Sequence, residues 1–358
     1  MSSESETDMT ALTVAEANLP VIDLSGLATG DADDKARVAK ALGEAARTSG
    51  FFYITGHGVD ADLIAEMFAA SKAFHEKPRS FKMKYWSGFT THHRGYVPLE
   101  ENGASFPKRI NFNEAWDMSY EAPADHPDYL AKWRMTGPNI WPDIPGWKET
   151  VSAYYDAVFN LGLRLLDTLA LELDVDPHEL TKHITYPTSQ LRMLRYIEND
   201  MQATKDVVGI DAHSDFECFT ILLQGAPGLQ VMNADDVWIE APPIPGCFIV
   251  NIGDIFETWS GGQFKSTQHR VNNIGTERYS FPLFFGLDYH AIVEPLEKFR
   301  TPETIAKYPP IKAGDHLMRM SVNAFRYMAD ARAKGELVPD YEVPEDNPFK
   351  REAKPAAE

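Results

Sequence analysis

Two histidines in this chain are each followed two positions later by an aspartate, a pattern in which an imidazole and a carboxylate can bind one metal ion. The triplets are His126-Pro-Asp128 and His213-Ser-Asp215. Such short triplets also arise by chance, so the neighbouring sequence has to show whether a triplet indicates a metal site. His126 lies in a proline-containing loop, which favours a turn or surface role. His213 leads into the apolar, strand-like run 219–223, so His213 and Asp215 are the stronger candidates.

A third ligand has to come from elsewhere in the chain. Residues i and i+2 of an extended segment point to the same side, which lets His213 and Asp215 converge on one ion. His269 is the candidate second histidine, because the segments around it look like strands of the same sandwich. Two imidazoles and one carboxylate on one face of a metal leave three positions open, as in non-haem Fe(II) oxygenases. The open positions would hold a chelating co-substrate and dioxygen.

An anionic co-substrate needs a cation in the protein interior. Arg278 and Ser280 lie two residues apart on a strand-like segment, so we expect both side chains on one face. A planar guanidinium together with a hydroxyl matches the geometry of a carboxylate. The pair is therefore a candidate carboxylate-binding site.

These positions belong to longer strings that extend over most of the chain. The strings are 251–254 (NIGD), 259–271 (WSGGQFKSTQHRV), 278–280 (RYS), 20–25 (PVIDLS), 50–59 (GFFYITGHGV), 73–78 (AFHEKP) and 113–119 (NEAWDMS). From about Pro20 to the final predicted helix, the sequence resembles the isopenicillin-N-synthase-like superfamily of Fe(II)- and 2-oxoglutarate-dependent oxygenases. The SGGQ form and the stretch 70–74 (ASKAF) look like bacterial members, including ethylene-forming enzymes.

The resemblance implies roles for two sets of residues. The residues that match the family's iron ligands are His213, Asp215 and His269. Those that match its binding site for the distal carboxylate of 2-oxoglutarate are Arg278, Ser280 and Tyr196.

The sequence also departs from the family pattern. Ile197 stands where the family usually has proline, and Gly261 stands where many plant members have asparagine. These departures argue against transferring plant substrates to this chain.

Three further residues are predicted to line the substrate pocket: Arg192, Arg94 and Phe281. Arg192 shares a strand face with Tyr196 by the same i, i+2 alternation. The adjacent His92 and His93 would point apart in a strand, so at most one of them is expected to meet substrate.

The predicted fold is mainly β with helices around it: a double-stranded β-helix (jelly roll) core with an N-terminal α/β elaboration. Apolar residues recur every three or four positions over 33–49, after Asp60 and from Trp147 to Leu173, which predicts helices. After Ser189 the pattern changes to short β-type runs between turns. Loops and extended segments are expected over 87–146, and a final helix near 315–333.

The predicted organisation follows from these elements. We expect a disordered leader at 1–18, an N-terminal α+β region at 19–185 that packs on the core, the jelly-roll core at 186–300, a C-terminal helix region at 301–340 and a tail at 341–358.

Composition narrows the function classes. The net charge of -19 disfavours nucleic acid and anionic membrane surfaces as partners. Two cysteines are too few for a disulfide framework, the N-terminal residues do not form a signal peptide, and no run of residues is long and apolar enough to span a membrane. A cytoplasmic enzyme is expected; the sequence leaves its oligomeric state open.

The main hypothesis is an enzyme, a dioxygenase that uses Fe(II), 2-oxoglutarate and O2 to oxidise, most commonly hydroxylate, a small organic substrate with release of succinate and CO2. One alternative keeps the iron but not 2-oxoglutarate, as isopenicillin N synthase and aminocyclopropane-carboxylate oxidase do. Another is chemistry of the ethylene-forming type. A non-catalytic jelly-roll binding protein ranks last, because all three metal ligands are present.

Overall fold

A computed structural model describes residues 19–28, 30–101, 110–201, 207–233 and 235–336. The predicted leader and tail lie outside the described residues, as do residues 337–340 of the predicted C-terminal helix region.

The helices follow the capping and periodicity signals of the sequence. They are α1 (Ala32–Thr48), α2 (Ala61–His75), α3 (Arg79–Lys82), α4 (Pro127–Leu130), α5 (Trp147–Leu173), α6 (Pro177–Thr181), α7 (Asp254–Trp259), α8 (Pro302–Lys307), α9 (Ala313–Ala324) and α10 (Arg326–Ala333). The carboxylates of Asp31 and Asp60 accept hydrogen bonds from backbone N–H groups in the first turns of α1 and α2. α5 begins directly after Gly146, and the residues that it buries recur at spacings of three and four.

The described strands form a two-sheet sandwich and two small two-stranded sheets. They are β1 (Val21–Asp23), β2 (Phe51–Thr55), β3 (Gly95–Val97), β4 (Ile110–Asn111), β5 (Asn113–Ser119), β6 (Gln190–Tyr196), β7 (Val207–Val208), β8 (Ile210–His213), β9 (Phe219–Gln224), β10 (Leu229–Met232), β11 (Trp238–Glu240), β12 (Phe248–Ile252), β13 (His269–Val271), β14 (Arg278–Phe285), β15 (Ile292–Val293) and β16 (Ile311–Lys312). An 8-stranded sheet has the order β1-β2-β12-β9-β14-β6-β5-β3, and a 4-stranded sheet has the order β11-β10-β13-β8. The two small sheets are β4-β7 and β15-β16. The predicted jelly-roll core with surrounding helices is confirmed.

The larger sheet carries a different apolar core on each face. On its outer face, α1, α2 and α5 contribute Val38, Met67 and Leu165 to a core that includes Phe281 of β14. The core on its inner face contains Leu194 of the larger sheet together with residues of the smaller sheet and the C-terminal helices. Because successive strand residues point to opposite faces, the position of a residue along its strand decides which core it joins.

Two segments differ from the sequence-based prediction. β5 lies within the stretch 87–146, for which the sequence predicts loops, and all of its residues are buried, so it shows no polar–apolar alternation. The predicted final helix is two helices, α9 and α10, because Phe325 between them has extended backbone angles (φ -114°, ψ 126°). This break places the Phe325 ring against the inner face of the larger sheet, where it contacts Arg192.

The N-terminal region contributes directly to the larger sheet. β1, β2, β3 and β5 all precede residue 186 and are strands of the sheet that also contains β6, β9, β12 and β14. The domain boundary at 185/186 stays a prediction. Among the helices of the described ranges, none combines the length and the apolar character that crossing a membrane requires.

Candidate metal centre

Strand pairing brings the three predicted ligands together at one end of the smaller sheet. His213 ends β8 and His269 begins β13, and the two residues are directly paired across these antiparallel strands. Asp215 follows β8 by two residues. One ligand atom of each side chain lies within 4.8 Å of those of the other two. Nε2 of His213 and Nε2 of His269 are each 3.5 Å from Oδ1 of Asp215.

Backbone carbonyl groups fix the tautomers of both histidines. Nδ1 of His213 is 2.7 Å from the Asp211 carbonyl oxygen, and Nδ1 of His269 is 3.3 Å from that of Thr267. A carbonyl oxygen only accepts, so each Nδ1 carries the hydrogen and donates it. The lone pairs therefore lie on the two Nε2 atoms that approach Asp215, which is the usual arrangement of metal-binding histidines.

The second carboxylate oxygen of Asp215, Oδ2, accepts hydrogen bonds from the larger sheet. Oδ2 accepts hydrogen bonds from the Thr220 hydroxyl on β9 and, at 2.7 Å, from the Asn251 amide on β12. Burial alone would raise the pKa of Asp215, but the imidazoles of His269 and His213 and the hydrogen bond from Thr220 hold it well below its usual range. Asp215 is thus an anion with one oxygen facing the two imidazoles.

The donor set fits a divalent iron ion. Burial, together with the neighbouring His213, lowers the pKa of His269 to about 4, so this imidazole is neutral at pH 7. Burial would also lower the pKa of His213, but the hydrogen bond and the charge of Asp215 raise it. Two imidazole nitrogens and one carboxylate oxygen on one side of a common point match the ligands of non-haem Fe(II) oxygenases.

Arg278 lies deep in the same interior, on β14, and has the surroundings of an anion-binding group. It is paired across the sheet with Tyr196, and its guanidinium lies 3.7 Å from the centre of the Tyr196 ring. Nη1 donates to the Pro227 carbonyl at 2.9 Å, and Nη2 donates to that of Asn272 at 3.3 Å. Burial lowers the pKa of Arg278, and within the described ranges no acidic side chain forms an ion pair with it.

The space around this guanidinium depends on a glycine. Gly228 has φ +124°, and a Cβ at this position would lie 2.9 Å from Nη1 of Arg278. Ser280, two residues after Arg278, is also buried and faces the same side of the sheet. The structure therefore brings Arg278, Ser280 and Tyr196 together on the inner face, on the sheet that also holds Asp215 through Thr220 and Asn251.

The three predicted substrate residues have different outcomes. Arg192 faces the sandwich interior, where its guanidinium lies 4.9 Å from the centre of the Phe325 ring. Phe281 does not: it lies on the opposite face of β14, in contact with Phe68 and Tyr154. The prediction for Phe281 is wrong because neighbouring residues of a strand point to opposite faces, and Ser280 faces inward.

For Arg94 the structure shows contacts with the backbone, and its predicted place in the substrate pocket stays a prediction. Its side chain is buried, and it donates hydrogen bonds to the backbone carbonyls of His92, His93 and Met135 at 2.7, 3.2 and 2.8 Å. Arg94 thus holds a loop together through Nη1 and Nη2 of its guanidinium.

Two residues of the centre, Thr220 and Asn251, are not predicted from the sequence to have a role. Asn251 lies in the string NIGD that carries the family resemblance, so its importance was detectable but its contact with Asp215 was not. The sequence does not indicate the role of Thr220, because threonine is common in β-strands.

Comparisons with known proteins agree with this geometry. Residues 19–144 match the family described as non-haem dioxygenase in morphine synthesis N-terminal, and residues 188–287 match the 2OG-Fe(II) oxygenase superfamily. A 2-oxoglutarate-Fe(II) type oxidoreductase of Emericella nidulans is 33% identical and covers 83% of this chain and 87% of its own length.

Solved structures share the fold over almost their whole length. A 2OG-Fe(II) oxygenase family protein from Caulobacter crescentus has a TM-score of 0.74 and 28% identity, and the match covers 85% of this chain and 98% of that one. T7H of Neurospora crassa, crystallised with alpha-KG (2-oxoglutarate) and thymine, has a TM-score of 0.71 and 25% identity, with coverages of 88% and 98%.

The chain therefore belongs to the 2OG-Fe(II) oxygenase superfamily. It is an oxidoreductase that depends on Fe(II) and on 2-oxoglutarate as co-substrate and acts on a small molecule. The alternative without 2-oxoglutarate is not favoured. The assignment to a bacterial subgroup stays a prediction, because the similar proteins include fungal and plant proteins as well as a bacterial one.

Proposed function

We propose that His213, Asp215 and His269 bind the Fe(II) of this oxygenase. The observation that carries the proposal is the convergence of their ligand atoms within 4.8 Å of one another. The hydrogen bonds to Nδ1 of each histidine and to Oδ2 of Asp215 support it, because they leave Nε2, Nε2 and Oδ1 directed at a common point.

We further propose that Arg278, Ser280 and Tyr196 bind the distal carboxylate of 2-oxoglutarate. A buried guanidinium is stable only with compensating partners, and Arg278 has backbone carbonyls and an aromatic ring around it. A bound carboxylate would supply the missing negative charge. The Tyr196 ring also limits the rotation of the guanidinium, so its donors are oriented before the co-substrate arrives.

The proposed reaction is the hydroxylation of one C–H bond in a small organic molecule. Bound Fe(II) and 2-oxoglutarate supply the chemistry, in which O2 is activated while 2-oxoglutarate is converted to succinate and CO2. The residues of the chain hold the ligands in place, exclude water and place the substrate beside the metal. Location in the cytoplasm and the lack of a nucleic-acid or membrane partner stay predictions from the composition.

The test is an anaerobic titration of the purified protein with Fe(II) and then 2-oxoglutarate. A visible charge-transfer band should develop at one iron per chain, and succinate should form when air is admitted. His213→Ala should remove the band, whereas His126→Ala should keep it. His126 is the matched control because it belongs to the other His-x-Asp triplet, and its Nδ1 accepts a hydrogen bond from the backbone N–H of Asp128 in α4. A band that survives in His213→Ala would refute the ligand assignment.

A further inference from the structure

A buried aspartate, Asp254, connects the two segments that carry the proposed metal ligands. Asp254 is the first residue of α7, and its backbone N–H donates a 2.9 Å hydrogen bond to the carbonyl oxygen of Asp215. Oδ1 of Asp254 accepts a 2.6 Å hydrogen bond from the hydroxyl of Ser266, three residues before His269. Asp254 therefore contacts both the loop after β8 and the segment that leads into β13.

A third segment, α9, reaches the same aspartate. Nε2 of His316 lies 3.1 Å from Oδ2 of Asp254, and the two side chains are 7% and 0% exposed. The His316 ring also packs edge-on against Phe216, the residue after Asp215, with the ring centroids 5.9 Å apart and the planes at 86°. His316 thus contacts the loop of Asp215 at a neighbouring side chain and holds the carboxylate of Asp254, which is bonded to that loop.

The helix that carries His316 is docked by apolar residues as well. α9 lies beyond residue 287, where the match to the 2OG-Fe(II) oxygenase superfamily ends. Three of its side chains are buried in the core on the inner face of the larger sheet: Leu317, Met318 and Val322. α9 therefore combines an apolar surface that attaches it to the sandwich with one imidazole that contacts Asp254.

These contacts make the docking of α9 and the geometry of the metal centre depend on each other. A buried carboxylate oxygen that loses its hydrogen-bond partner is costly, so Asp254 would move or take up water if His316 were removed. Asp254 is bonded to the backbone of Asp215 and to Ser266, so both proposed ligand segments would be affected. Coupling of this kind is reciprocal, because binding at one place changes the other by the same factor.

We propose that His316 is a positioning residue for the metal centre, and that its contact with Asp254 couples the docking of α9 to metal binding. The inference rests on the proposed function, since it takes His213, Asp215 and His269 as the ligands of the iron. His316 does not belong to this ligand set, so its loss should weaken metal binding without abolishing it.

The first experiment compares two replacements of His316. His316→Phe keeps a ring beside Phe216 but has no nitrogen to contact Asp254, whereas His316→Gln places an amide N–H near the position of Nε2. The affinity for Fe(II) is measured anaerobically by competition with a chelator, and the visible spectrum of bound Co(II) reports the ligand geometry. His316→Phe should bind iron about ten-fold or more weakly and alter the Co(II) spectrum, and His316→Gln should restore most of the affinity.

Met318→Ala is the matched control. It removes a fully buried side chain of the same helix but leaves both His316 and Asp254 in place. This variant should unfold at a lower temperature and bind iron with the affinity of the wild type. The inference is wrong if His316→Phe binds iron as tightly as the wild type, or if Met318→Ala weakens iron binding to the same extent.

The second experiment uses the wild type alone, so it does not depend on how well a variant folds. Reciprocity requires that bound metal stabilises the docking of α9. Amide hydrogen exchange, measured with and without Zn(II), should therefore slow more in α9 than in α2, which packs on the outer face of the larger sheet. Equal slowing in the two helices would contradict the coupling. A wild type that binds no metal would instead overturn the proposed function.

Discussion

The side-chain amide of Asn251 donates a 2.7 Å hydrogen bond to Oδ2 of Asp215, the carboxylate oxygen that faces away from the two imidazoles. Asn251 belongs to β12 and Thr220, the second donor to this oxygen, belongs to the neighbouring strand β9, with which it is paired. The larger sheet thus orients Asp215, a proposed metal ligand that follows a strand of the smaller sheet. The geometry of the metal centre therefore depends on how the two sheets pack.

Asn251→Ala should weaken iron binding without unfolding the protein. The substitution removes one of the two donors to Oδ2 and leaves Asp215 free to rotate away from the imidazoles. Loss of such an outer hydrogen bond typically costs about ten- to a hundred-fold in metal affinity. Competition with a chelator under anaerobic conditions measures the affinity. Asn273→Ala, which removes a partly buried amide that pairs with Asn199, is the control, and equal affinities in the two variants would contradict the prediction.

Asp215→Ala should abolish iron binding and turnover while the fold is kept. Asp215 is the anionic member of the predicted ligand set, and its side chain lies between polar groups rather than in either apolar core. Circular dichroism should therefore be unchanged, while the iron content after anaerobic reconstitution falls to background. Retained activity would remove Asp215 from the site.

Arg278→Lys should raise the requirement for 2-oxoglutarate and leave iron affinity nearly unchanged. The lysine keeps the charge but loses the planar group that lies over Tyr196. Losing a charge-assisted hydrogen bond costs about 1.5 to 3 kcal/mol, or roughly ten- to a hundred-fold in affinity. The Kd for 2-oxoglutarate and that for iron, each measured by titration, test the division of roles. If substrate binding weakens instead, Arg278 is a substrate anchor.

Strand alternation predicts much of the site from sequence. The i, i+2 rule places Arg278 with Ser280 and Arg192 with Tyr196 on the inner face, as observed. The same rule requires Phe281 to face outward, where it packs against α2 and α5. Phe281 is adjacent to Ser280 in sequence, but adjacency along a strand separates two side chains by the thickness of the sheet.

Other features depend on contacts that no local pattern reports. β5 is covered on both faces, so the alternation that identifies a strand is absent. The pairing of Asp117 with Arg192 depends on the register between β5 and β6, which are far apart in sequence. The break at Phe325 contains no proline or glycine, so helix-terminating signals are missing there. Sequence thus predicts most of the elements and which residues form the candidate metal centre, but not the groups that position those residues.

Gly253→Ala should destabilise the protein and weaken iron binding. The backbone of Gly253 is extended (φ -107°), which any residue can adopt, but an added Cβ would lie 2.2 Å from the carbonyl oxygen of Glu217 and 3.2 Å from that of Asp215. The loop that carries Asp215, a proposed metal ligand, would have to move, at a cost of about 1 to 3 kcal/mol, typical of overpacking.

Thermal unfolding and iron titration measure these two effects. Gly246→Ala is the control, because Gly246 has φ +74° with no atom within 4 Å of an added Cβ. It should lose stability through backbone strain while iron affinity is unchanged. A Gly253→Ala protein with normal iron affinity would show that the loop tolerates the displacement.

Stability should fall as the pH is lowered from about 6.5 to 4, and His75 should account for part of the loss. Burial lowers the pKa of His75 to about 4, against the opposing charge of Glu114. The unfolded chain therefore binds a proton at a pH where the folded protein does not, so the free energy of unfolding is largest above pH 6.5 and decreases below it. Each tenfold difference in proton affinity between the two states corresponds to about 1.4 kcal/mol, so the loss is on the order of 3 kcal/mol.

Urea denaturation of the metal-free protein at pH 7 and pH 4.5 should show a smaller difference in the free energy of unfolding for His75→Leu than for the wild type. The same replacement at the exposed His178 on α6 controls for the loss of an imidazole as such, and an unchanged difference in His75→Leu would remove His75 as a cause of acid sensitivity.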